Sequence, residues 1–367
     1  MRIHHLSAAA IPSRTANSIQ AMRMTAALAS LGHEVTLFCC SGEGAPAVDP
    51  HVYYGTAPTF EIVRCPWPPV RGVGSLWHAQ AVMREAARRG LPDVFYGRHL
   101  PSLALAGRAG RPLVAEVHLP PAHVFQRAAL RRIFSSPSFD RLLVISESLR
   151  AEYLRLFPRL GPARVVIARS AAEAAAPEGN AVRLGGRPAA PRVGYVGHLY
   201  PGKGLEIITA LAEAMPDVDF HVIGGTEHDL SRWRVRRTSS NLLLHGHVPP
   251  GRLAAWMQTF DIALAPYQHH VSVSGGGDAA RWMSPLKIVE YMAYGKAIVA
   301  SDLPPIREVL DHGRTGLLCS PDAPREWCAA IRRLIDEPDL VRRLARDARR
   351  ESDERHTWIA RARLVLA

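Results

Sequence analysis

The stretch RWMSPLKIVEYMAYGKAIVASDLPPIREVLDHGRT, residues 281–315, carries the strongest structural signals in the chain. Ser284 and Pro285 predict the start of a helix, because a serine hydroxyl can accept from free amides and proline fits the first helical turn. Gly295 marks the expected end of this helix, and Ala297–Ala300 predicts a strand after it. A helix that leads into a strand in this way is typical of a parallel α/β domain.

The first turn of the predicted helix is a candidate anion site. The amides of Leu286 and Lys287 have no partner within the helix and lie at the positive end of its dipole. Lys287 adds a full charge, and Glu290 follows on the same face three residues later. A phosphate with an attached sugar hydroxyl would suit both groups. An amphipathic helix with a charged edge is the alternative interpretation of this stretch.

Lysine is rare in this chain, although lysine and arginine together number 45. Lysine occurs only at Lys203, Lys287 and Lys296, so arginine fills almost every other cationic position. Lys203 and Lys287 fall in predicted phosphate-binding turns, where a compact ammonium and a planar guanidinium are not interchangeable. The scarcity indicates that lysine itself is needed at these two positions.

Length and composition predict a globular protein of two domains, because 367 residues exceed one ordinary core and 47% of them are hydrophobic. No apolar run is long enough for a membrane helix or a signal peptide, so a cytoplasmic protein is expected. The five cysteines have no C-x-x-C spacing, so neither a disulfide framework nor a metal site is expected. The net charge of +12 suits a nucleotide or an anionic membrane face, whereas dispersed arginines weigh against nucleic acid.

Both halves of the chain show the alternation of strands and helices that builds a parallel sheet. An Ala-, Gly- and Pro-rich stretch without periodicity separates them and predicts a linker. The predicted domains are residues 1–170, a linker over 171–191, residues 192–352, and a C-terminal helix over 353–367 that returns to the first domain. Near the predicted site lie a strand Arg2–Ser7, a loop over 8–18, a helix Ile19–Leu31, a strand Arg192–Gly197, the loop HLYPGKG and a helix Leu205–Met215.

Polar residues follow two strands of the first half, at the edge where a parallel sheet binds its ligands. Arg98 follows FYG, and Glu116 and His118 lie in LVAEVHLPP. The loop over residues 11–18 belongs to the same edge and lacks the G-x-G-x-x-G fingerprint, so no dinucleotide is expected there. A lone histidine is more often structural than functional, and the position of His118 at a strand end leaves both roles open.

These segments together resemble the retaining nucleotide-sugar glycosyltransferases of family 4. VGYVGHLYPGKGLE, residues 193–206, resembles the diphosphate loop of the family. SPLKIVEYMAYGKAIVASDLPPIREVL with HGRTGLL, residues 284–318, resembles its donor-binding helix and following loop. IPSRTANSIQAMRMTAALASLGHEVTL resembles the N-terminal acceptor-side loop and helix, and AEVHLPP the strand-end histidine. The likeness covers most of the chain.

The resemblance implies the α/β fold called GT-B, with two facing Rossmann-like domains and a cleft between them. It implies a retaining, metal-independent hexosyltransferase that uses a nucleoside diphosphate sugar, with UDP expected, and no cofactor. The first domain would bind the acceptor and the second the donor. The implied site residues are His118, Lys203 and Lys287 as catalytic groups, Gly197, His198, Lys203, Ser284, Leu286, Lys287 and Glu290 around the nucleotide sugar, with Glu308 supporting the loop that follows, and Ser13, Asn17 and Arg98 on the acceptor side.

Two positions depart from the family pattern. His198 stands where the family usually pairs its loop lysine with an arginine. Trp282 replaces the usual glutamate eight residues before Glu290. Sugar selection is therefore expected to differ from that of members with both glutamates, or Asp278 in the adjacent loop takes part.

The acceptor is left open between a lipid-linked glycan and a small metabolite such as an aminocyclitol. A positively charged face would serve the first by peripheral contact with anionic lipid. Three other function classes are compatible with parts of the sequence. They are a catalytically impaired GT-B scaffold that binds nucleotide or a partner, a nucleotide-sugar epimerase on a related fold, and a nucleic-acid-binding protein.

Overall fold

The computed structural model describes residues 1–42, 48–68, 70, 73–173, 182–236, 239–273 and 277–367. The chain divides into two compact units, one made of residues 1–169 and 358–367 and the other of residues 170–357. Residues 174–181 of the predicted linker lie outside the described part of the chain.

In the described part of the first unit, seven parallel strands form one sheet in the order β3-β2-β1-β4-β5-β6-β7. A C-terminal helix completes this unit by packing against its first helix. The strands are β1 Arg2–Ile11, β2 Glu34–Ser41, β3 Glu61–Arg64, β4 Val94–Gly97, β5 Leu113–Val117, β6 Phe139–Val144 and β7 Val165–Ile167; the helices are α1 Ala16–Ser30, α2 Pro50–Tyr54, α3 Gly74–Arg88, α4 Leu100–Ala106, α5 Val124–Phe134, α6 Glu147–Leu156 and, from the end of the chain, α14 Trp358–Leu366.

In the described part of the second unit, six parallel strands form a sheet in the order β10-β9-β8-β11-β12-β13. Apolar side chains from its strands and helices form the core on both faces. The strands are β8 Arg192–Val196, β9 Asp219–Ile223, β10 Leu242–Gly246, β11 Ile262–Ala265, β12 Ala297–Ser301 and β13 Leu317–Cys319; the helices are α7 Leu205–Ala214, α8 Glu227–Arg236, α9 Leu253–Met257, α10 Leu286–Ala293, α11 Pro304–Arg307, α12 Pro324–Asp336 and α13 Pro338–Arg355.

The first strand and helix are longer than the sequence predicted. β1 continues past Ser7 to Ile11, because Ala10 and Ile11 still pair with β2 after a shift in register. α1 begins at Ala16 instead of Ile19, since the Thr15 side chain caps it by accepting from the amide of Ser18. The predicted loop over residues 8–18 is therefore confined to a short turn.

Four short elements had no prediction, namely α2, α8, α11 and β13. β13 has only three residues, which are too few to show a period. The helix predicted at Ser284 is present as α10, but it begins at Leu286 and ends at Ala293.

Each sheet has one point at which the strand order reverses, and parallel α/β sheets bind ligands in the crevice that opens there. In the first unit this point lies between β1 and β4, so the segments that follow these two strands lie at the same edge of the sheet. In the second unit it lies between β8 and β11. The segments after Val196 and Ala265 therefore frame a candidate site.

The loop after β8 requires glycine on both sides of Lys203. Gly202 and Gly204 have φ of +80° and +92°. A Cβ at Gly202 would lie 1.8 Å from the carbonyl oxygen of His270, and one at Gly204 would lie 1.9 Å from that of Pro266. The loop is thus packed directly on the backbone that follows β11, which fixes where Lys203 begins.

Gly204→Ala is expected to lower the free energy of unfolding by about 2–5 kcal/mol, because a left-handed backbone and overpacking each add a cost. The matched control is Gly313→Ala, since Gly313 has φ of +77° with nothing within 4 Å of its Cβ position. That variant should lose only about 1–2 kcal/mol. Equal losses in urea titrations of the two proteins would show that the loop is not tightly packed.

Candidate functional site

The two predicted phosphate-binding lysines lie near the same aromatic ring, that of Tyr267, in the second unit. Lys287 Nζ is 3.6 Å from the centre of the Tyr195 ring and 4.9 Å from that of Tyr267. Lys203 Nζ is 5.1 Å from the centre of the Tyr267 ring. Tyr195 belongs to β8 and Tyr267 follows β11, so both rings stand at the switch point of the sheet. The structure brings the two lysines to one place.

The ammonium of Lys287 is buried without a hydrogen-bond acceptor. The residue is 7% exposed, and Nζ has no hydrogen-bond partner among the residues that the structure describes. Burial first, and then the charge of Lys203, hold the pKa of Lys287 well below its ordinary value, against the opposing charge of Glu290. Burial also lowers the pKa of Lys203 to about 8. An anion would stabilise both groups as cations, so the arrangement suits a phosphate.

Gly197 and His198 border this cationic pair. A Cβ at Gly197 would lie 3.0 Å from Lys287 Nζ, so glycine leaves room for the ammonium on this side. The carbonyl oxygen of His198 accepts from the Tyr195 hydroxyl at 2.7 Å. The His198 ring stacks on Tyr200, with the ring centres 4.8 Å apart. The position that the family usually fills with arginine is thus held by an aromatic stack.

Ser284 does not cap α10, contrary to the prediction. Pro285 occupies the N-cap position, one residue later than expected, and it provides no side-chain cap. The Ser284 hydroxyl instead accepts from the amide of Ser170 at 2.7 Å, while the Ser170 hydroxyl donates to the Ser284 carbonyl at 2.7 Å. Ser284 therefore anchors the start of the second unit. Leu286 and Lys287 occupy the first two helical positions, where amides lack intrahelical partners.

Glu290 lies one turn after Lys287 on α10 and is half-buried. The next residue, Tyr291, fixes the helix on the sheet, because its hydroxyl accepts from the amide of Val196 at 2.8 Å and donates to the Leu264 carbonyl at 3.2 Å. These bonds join α10 to β8 and β11 at the switch point. The position of Lys287 and Glu290 relative to the sheet is therefore set by buried contacts.

The two loop residues that bear on sugar selection have contacts within the second unit. The Trp282 ring lies 4.7 Å from the Arg281 guanidinium. Asp278 Oδ1 accepts from the amides of Val271 and Ala280 at 2.8 and 2.9 Å. Oδ2 of Asp278 pairs with His270 at 3.3 Å. Asp278 thus shapes the loop after β11, and contact with a sugar stays a prediction.

In the first unit, two of the predicted acceptor-side residues are in direct contact. Arg98 Nη1 donates to Asn17 Oδ1 at 2.7 Å and to Gln20 Oε1 at 3.1 Å. Arg98 follows β4, whereas Asn17 and Gln20 lie in the first turns of α1. The guanidinium therefore joins the two sides of the switch point.

His118 is joined to the same group through Glu116. Gln20 Nε2 donates to Glu116 Oε1 at 3.0 Å, and His118 Nε2 lies 2.5 Å from the same oxygen. Burial would raise the pKa of Glu116, but the charge of Arg361, the hydrogen bond from His118 and the charge of Arg98 lower it well below its ordinary value. Burial and the charge of Arg98 lower the pKa of His118 to about 4, so the ring is neutral at pH 7.

Ser13 makes different contacts from those of Asn17 and Arg98. Its amide donates to the Tyr54 hydroxyl at 2.7 Å, and its hydroxyl donates to Ser18 at 3.0 Å. These bonds close the turn before α1. Ser13 is therefore part of the helix start rather than of the group around Arg98.

Sequence reasoning did not find the aromatic and ionic groups that complete both sites. Tyr195 and Tyr267 surround the lysine ammoniums, and Gln20 and Arg361 hold Glu116. An aromatic residue in a strand is most simply interpreted as core. Arg361 lies 245 residues from Glu116 along the chain, so no local pattern connects them.

Metal ligands and membrane helices were both searched for in the described ranges. No group of three or more His, Cys, Asp or Glu side chains there is placed to hold a metal ion. Asp217 and Asp219 have D-x-D spacing, but they pair with Arg332 at 2.7 Å and Arg187 at 2.6 Å. None of the described helices is both long and apolar enough to cross a bilayer.

Comparison with known proteins agrees with this architecture. Residues 18–169 match the family model described as Glycosyltransferase Family 4, and residues 190–337 match the one described as Glycosyl transferases group 1. Glycogen synthase of Mycobacterium tuberculosis is 26% identical, over 91% of this chain and 86% of that protein. Phosphatidyl-myo-inositol mannosyltransferase of the same species is 29% identical, over 51% of this chain and 49% of that protein.

A solved structure shows the same fold at low identity. Anabaena Alr3699/HepE, solved in complex with UDP and glucose, has a TM-score of 0.72 and 17% identity, over 100% of this chain and 98% of that chain. The two Rossmann-like units with parallel sheets agree with the two family models, which cover consecutive parts of the sequence. The chain therefore belongs to glycosyltransferase family 4 and has the GT-B fold.

Proposed function

We propose that this glycosyltransferase moves a hexose-type sugar from a nucleoside diphosphate, with UDP as the nucleotide, to an acceptor hydroxyl or amine. The transfer retains the anomeric configuration and uses neither a metal ion nor a cofactor. The observation that carries the proposal is the buried Lys287 ammonium without an acceptor. The choice of UDP is supported by Anabaena Alr3699/HepE, which was solved with UDP and with UDP-glucose.

The cationic pair fits the leaving group of this reaction. As the bond between sugar and diphosphate breaks, negative charge grows on the departing phosphate, and the sugar becomes oxocarbenium-like. Preorganised charges that face the developing anion lower the barrier without reorganising in the reaction. Lys203 and Lys287 are held in place before any ligand binds, because aromatic rings and a tightly packed loop surround them. The two lysines would supply the positive charge that a metal ion supplies elsewhere.

The remaining donor contacts follow from the elements around the pair. The free amides of Leu286 and Lys287 would hold the β-phosphate at the start of α10. Gly197 would let the diphosphate approach closely, and Glu290 would bind the ribose hydroxyls. The departing phosphate could accept the proton of the attacking acceptor, so the proposal needs no separate general base.

The first unit supplies the candidates for recognition of the sugar and the acceptor. His118 is assigned to an outer hydroxyl of the donor sugar, and Arg98 with Asn17 to the acceptor. The hydrogen bonds that join Arg98, Asn17 and Gln20 hold these side chains at one edge of the sheet. Ser13 is a weaker candidate, because its hydroxyl already serves the turn before α1.

Two acceptor classes fit the proposal. A lipid-linked glycan is supported by the name of the relative phosphatidyl-myo-inositol mannosyltransferase, and the net charge of +12 would favour peripheral contact with an anionic membrane face from the cytoplasm. A small metabolite is supported by the relative named D-inositol 3-phosphate glycosyltransferase, from Thermobispora bispora, 26% identical over 61% of this chain and 54% of that protein.

Mass spectrometry of the purified protein with a panel of UDP-, GDP- and dTDP-sugars tests the proposal directly. Hydrolysis or transfer of a UDP-sugar, with release of UDP, is the expected result. Conversion of one nucleotide sugar into its epimer would identify an epimerase instead. Binding without turnover of any donor would identify a catalytically impaired scaffold, for which the replacements at His198 and Trp282 are the motivation.

Loss of either catalytic lysine is expected to lower turnover strongly. Lys203→Ala and Lys287→Ala should each remove about 2–4 kcal/mol of transition-state stabilisation, by analogy with a lost oxyanion donor. Lys203→Arg and Lys287→Arg should also be impaired, although less, because a planar fork replaces a compact ammonium. Steady-state rates with a UDP-sugar measure both effects.

Lys296→Arg is the matched control for these variants. Lys296 Nζ donates to the carbonyls of Gln258 and Phe260, so its role is to close the turn after α9. This variant should keep nearly wild-type turnover. Wild-type rates for Lys203→Arg and Lys287→Arg as well would leave only generic charge at those positions.

UDP binding at pH 8 is expected to take up protons. In the unliganded protein the pKa of Lys203 is about 8, so part of its population is neutral at this pH, and burial also holds the pKa of Lys287 well below its ordinary value. A bound diphosphate favours the charged forms and raises both pKa values. Affinity should therefore be highest below the unliganded pKa values and fall as pH rises through and above 8.

Calorimetric titration of UDP at pH 8, in two buffers that differ in ionisation enthalpy, counts these protons. Lys203→Met should reduce the uptake. Binding that takes up no protons would mean that the diphosphate does not reach the lysines.

Glu290→Gln is expected to weaken UDP binding by about 1.5–3 kcal/mol, the range for a hydrogen bond to a charged group. UDP and UDP-sugar should be affected equally, since the ribose is common to both. Glu337→Gln is the control. Glu337 is exposed just after α12 and forms a salt bridge with the exposed Arg333. Wild-type UDP affinity in Glu290→Gln would remove the nucleotide from α10.

A further inference from the structure

Glu116 is a fully buried carboxylate that accepts from several elements of the first unit. Arg361, on α14, donates through Nη2 to Oε1 at 2.8 Å and through Nη1 to Oε2 at 3.3 Å. Gln20 donates to Oε1 from α1, and the Tyr96 hydroxyl donates to Oε2 from β4. His118 Nε2 meets Oε1 from the end of β5. One carboxylate therefore connects the C-terminal helix to the candidate sugar-binding histidine.

Arg361 is fixed on all sides. Its side chain is 3% exposed, Nε donates to the carbonyl of Arg169 at 3.0 Å, and Nη2 also faces the carbonyl of Ala168 at 3.3 Å. The planar guanidinium thus bridges the end of β7 and Glu116. Its forked contact with the carboxylate is the geometry that holds an ion pair most firmly.

The protonation of Glu116 decides which nitrogen of His118 carries hydrogen. An ionised carboxylate only accepts hydrogen bonds, so the nitrogen that faces it, Nε2, must be the donor. In a neutral ring the other nitrogen, Nδ1, then carries the lone pair. The His118 side chain is 24% exposed, so the ring is not sealed off from ligands.

We propose that Arg361 is a positioning residue: by keeping Glu116 ionised, it fixes His118 in the Nε2–H tautomer, so that Nδ1 accepts a hydrogen bond from a substrate hydroxyl. This inference rests on the proposed sugar transfer for the identity of the ligand. The tautomer itself does not depend on the proposed function, because it is a property of the unliganded protein.

The charged residues that shift the pKa of His118 are Arg98, Glu116 and Arg361. Burial, Arg98 at the end of β4 and Arg361 on α14 lower the pKa of the ring, whereas Glu116 raises it. The nearby His5 ring, on β1, packs against Tyr96 with ring centres 4.6 Å apart, and burial lowers its pKa to about 3. His118 is therefore neutral at pH 7 and has a single proton to place.

Removal of the guanidinium should reverse the tautomer. Without Arg361, the carboxyl of Glu116 loses the nearest opposing charge, and burial then favours its protonated form. A protonated carboxyl can donate to Nε2, which moves the ring hydrogen to Nδ1. The nitrogen that met the substrate hydroxyl as an acceptor becomes a donor.

Nitrogen-15 NMR of histidine-labelled protein without ligand reads the tautomer, and the His118 signals are identified by their loss in His118→Gln. The wild type should show hydrogen on Nε2, Arg361→Met should show it on Nδ1, and Arg361→Lys, which keeps the charge, should retain the wild-type tautomer. Arg363→Met is the control, because Arg363 is exposed on the same helix and should change nothing.

With an active donor and acceptor, Arg361→Met should lower kcat about tenfold through the loss of one well-placed hydrogen bond, with UDP affinity unchanged. Hydrogen on Nδ1 in the wild type, or an unchanged tautomer in folded Arg361→Met, would overturn the inference. If Arg361→Met does not fold, hydrogen on Nδ1 of His118 in either the wild type or Arg361→Lys would also overturn the inference. Absence of turnover with the tautomers as expected would count against the proposed function alone.

Discussion

The second unit is organised around a buried charge that its own residues do not neutralise. Lys287 places an ammonium against the Tyr195 ring, beside a second lysine and without a hydrogen-bond acceptor in the described structure. Such a group is costly in a folded protein unless it binds an opposite charge. The glycines of the loop after β8, the tyrosine that anchors α10 and the switch point of the sheet all keep the ammonium in this place. The buried ammonium therefore lowers the stability of the unliganded protein, and a bound anion would restore it.

In the first unit, by contrast, other residues neutralise the buried charge of Glu116. Glu116 is surrounded by donors from α1, α14 and β4, and its ion pair with Arg361 is complete. A satisfied network of this kind holds side chains in one geometry instead of attracting a ligand. Under the proposed function, the second unit would present charge to a phosphate, and the first would present oriented polar groups to hydroxyls.

The strand and helix alternation, the two Rossmann-like units and the proximity of Lys203 and Lys287 could be predicted, because each depends on local signals. Apolar periodicity and glycine positions indicate the helices and strands, and the scarcity of lysine draws attention to Lys203 and Lys287. The prediction that Ser284 caps α10 was wrong, because its hydroxyl binds Ser170, which is distant in sequence. Tyr267 and Arg361 were missed for the same reason: they act through contacts that exist only after the sheet has formed.

A crystal structure of the protein with bound UDP tests the central claim most directly. The quantity to measure is the distance between Lys287 Nζ and the nearest β-phosphate oxygen. The account predicts a hydrogen-bonding distance of about 2.7–2.9 Å, typical of a charged pair, with Lys203 on the same diphosphate. A diphosphate bound elsewhere, with the Lys287 ammonium still against the Tyr195 ring and without an acceptor, would contradict it.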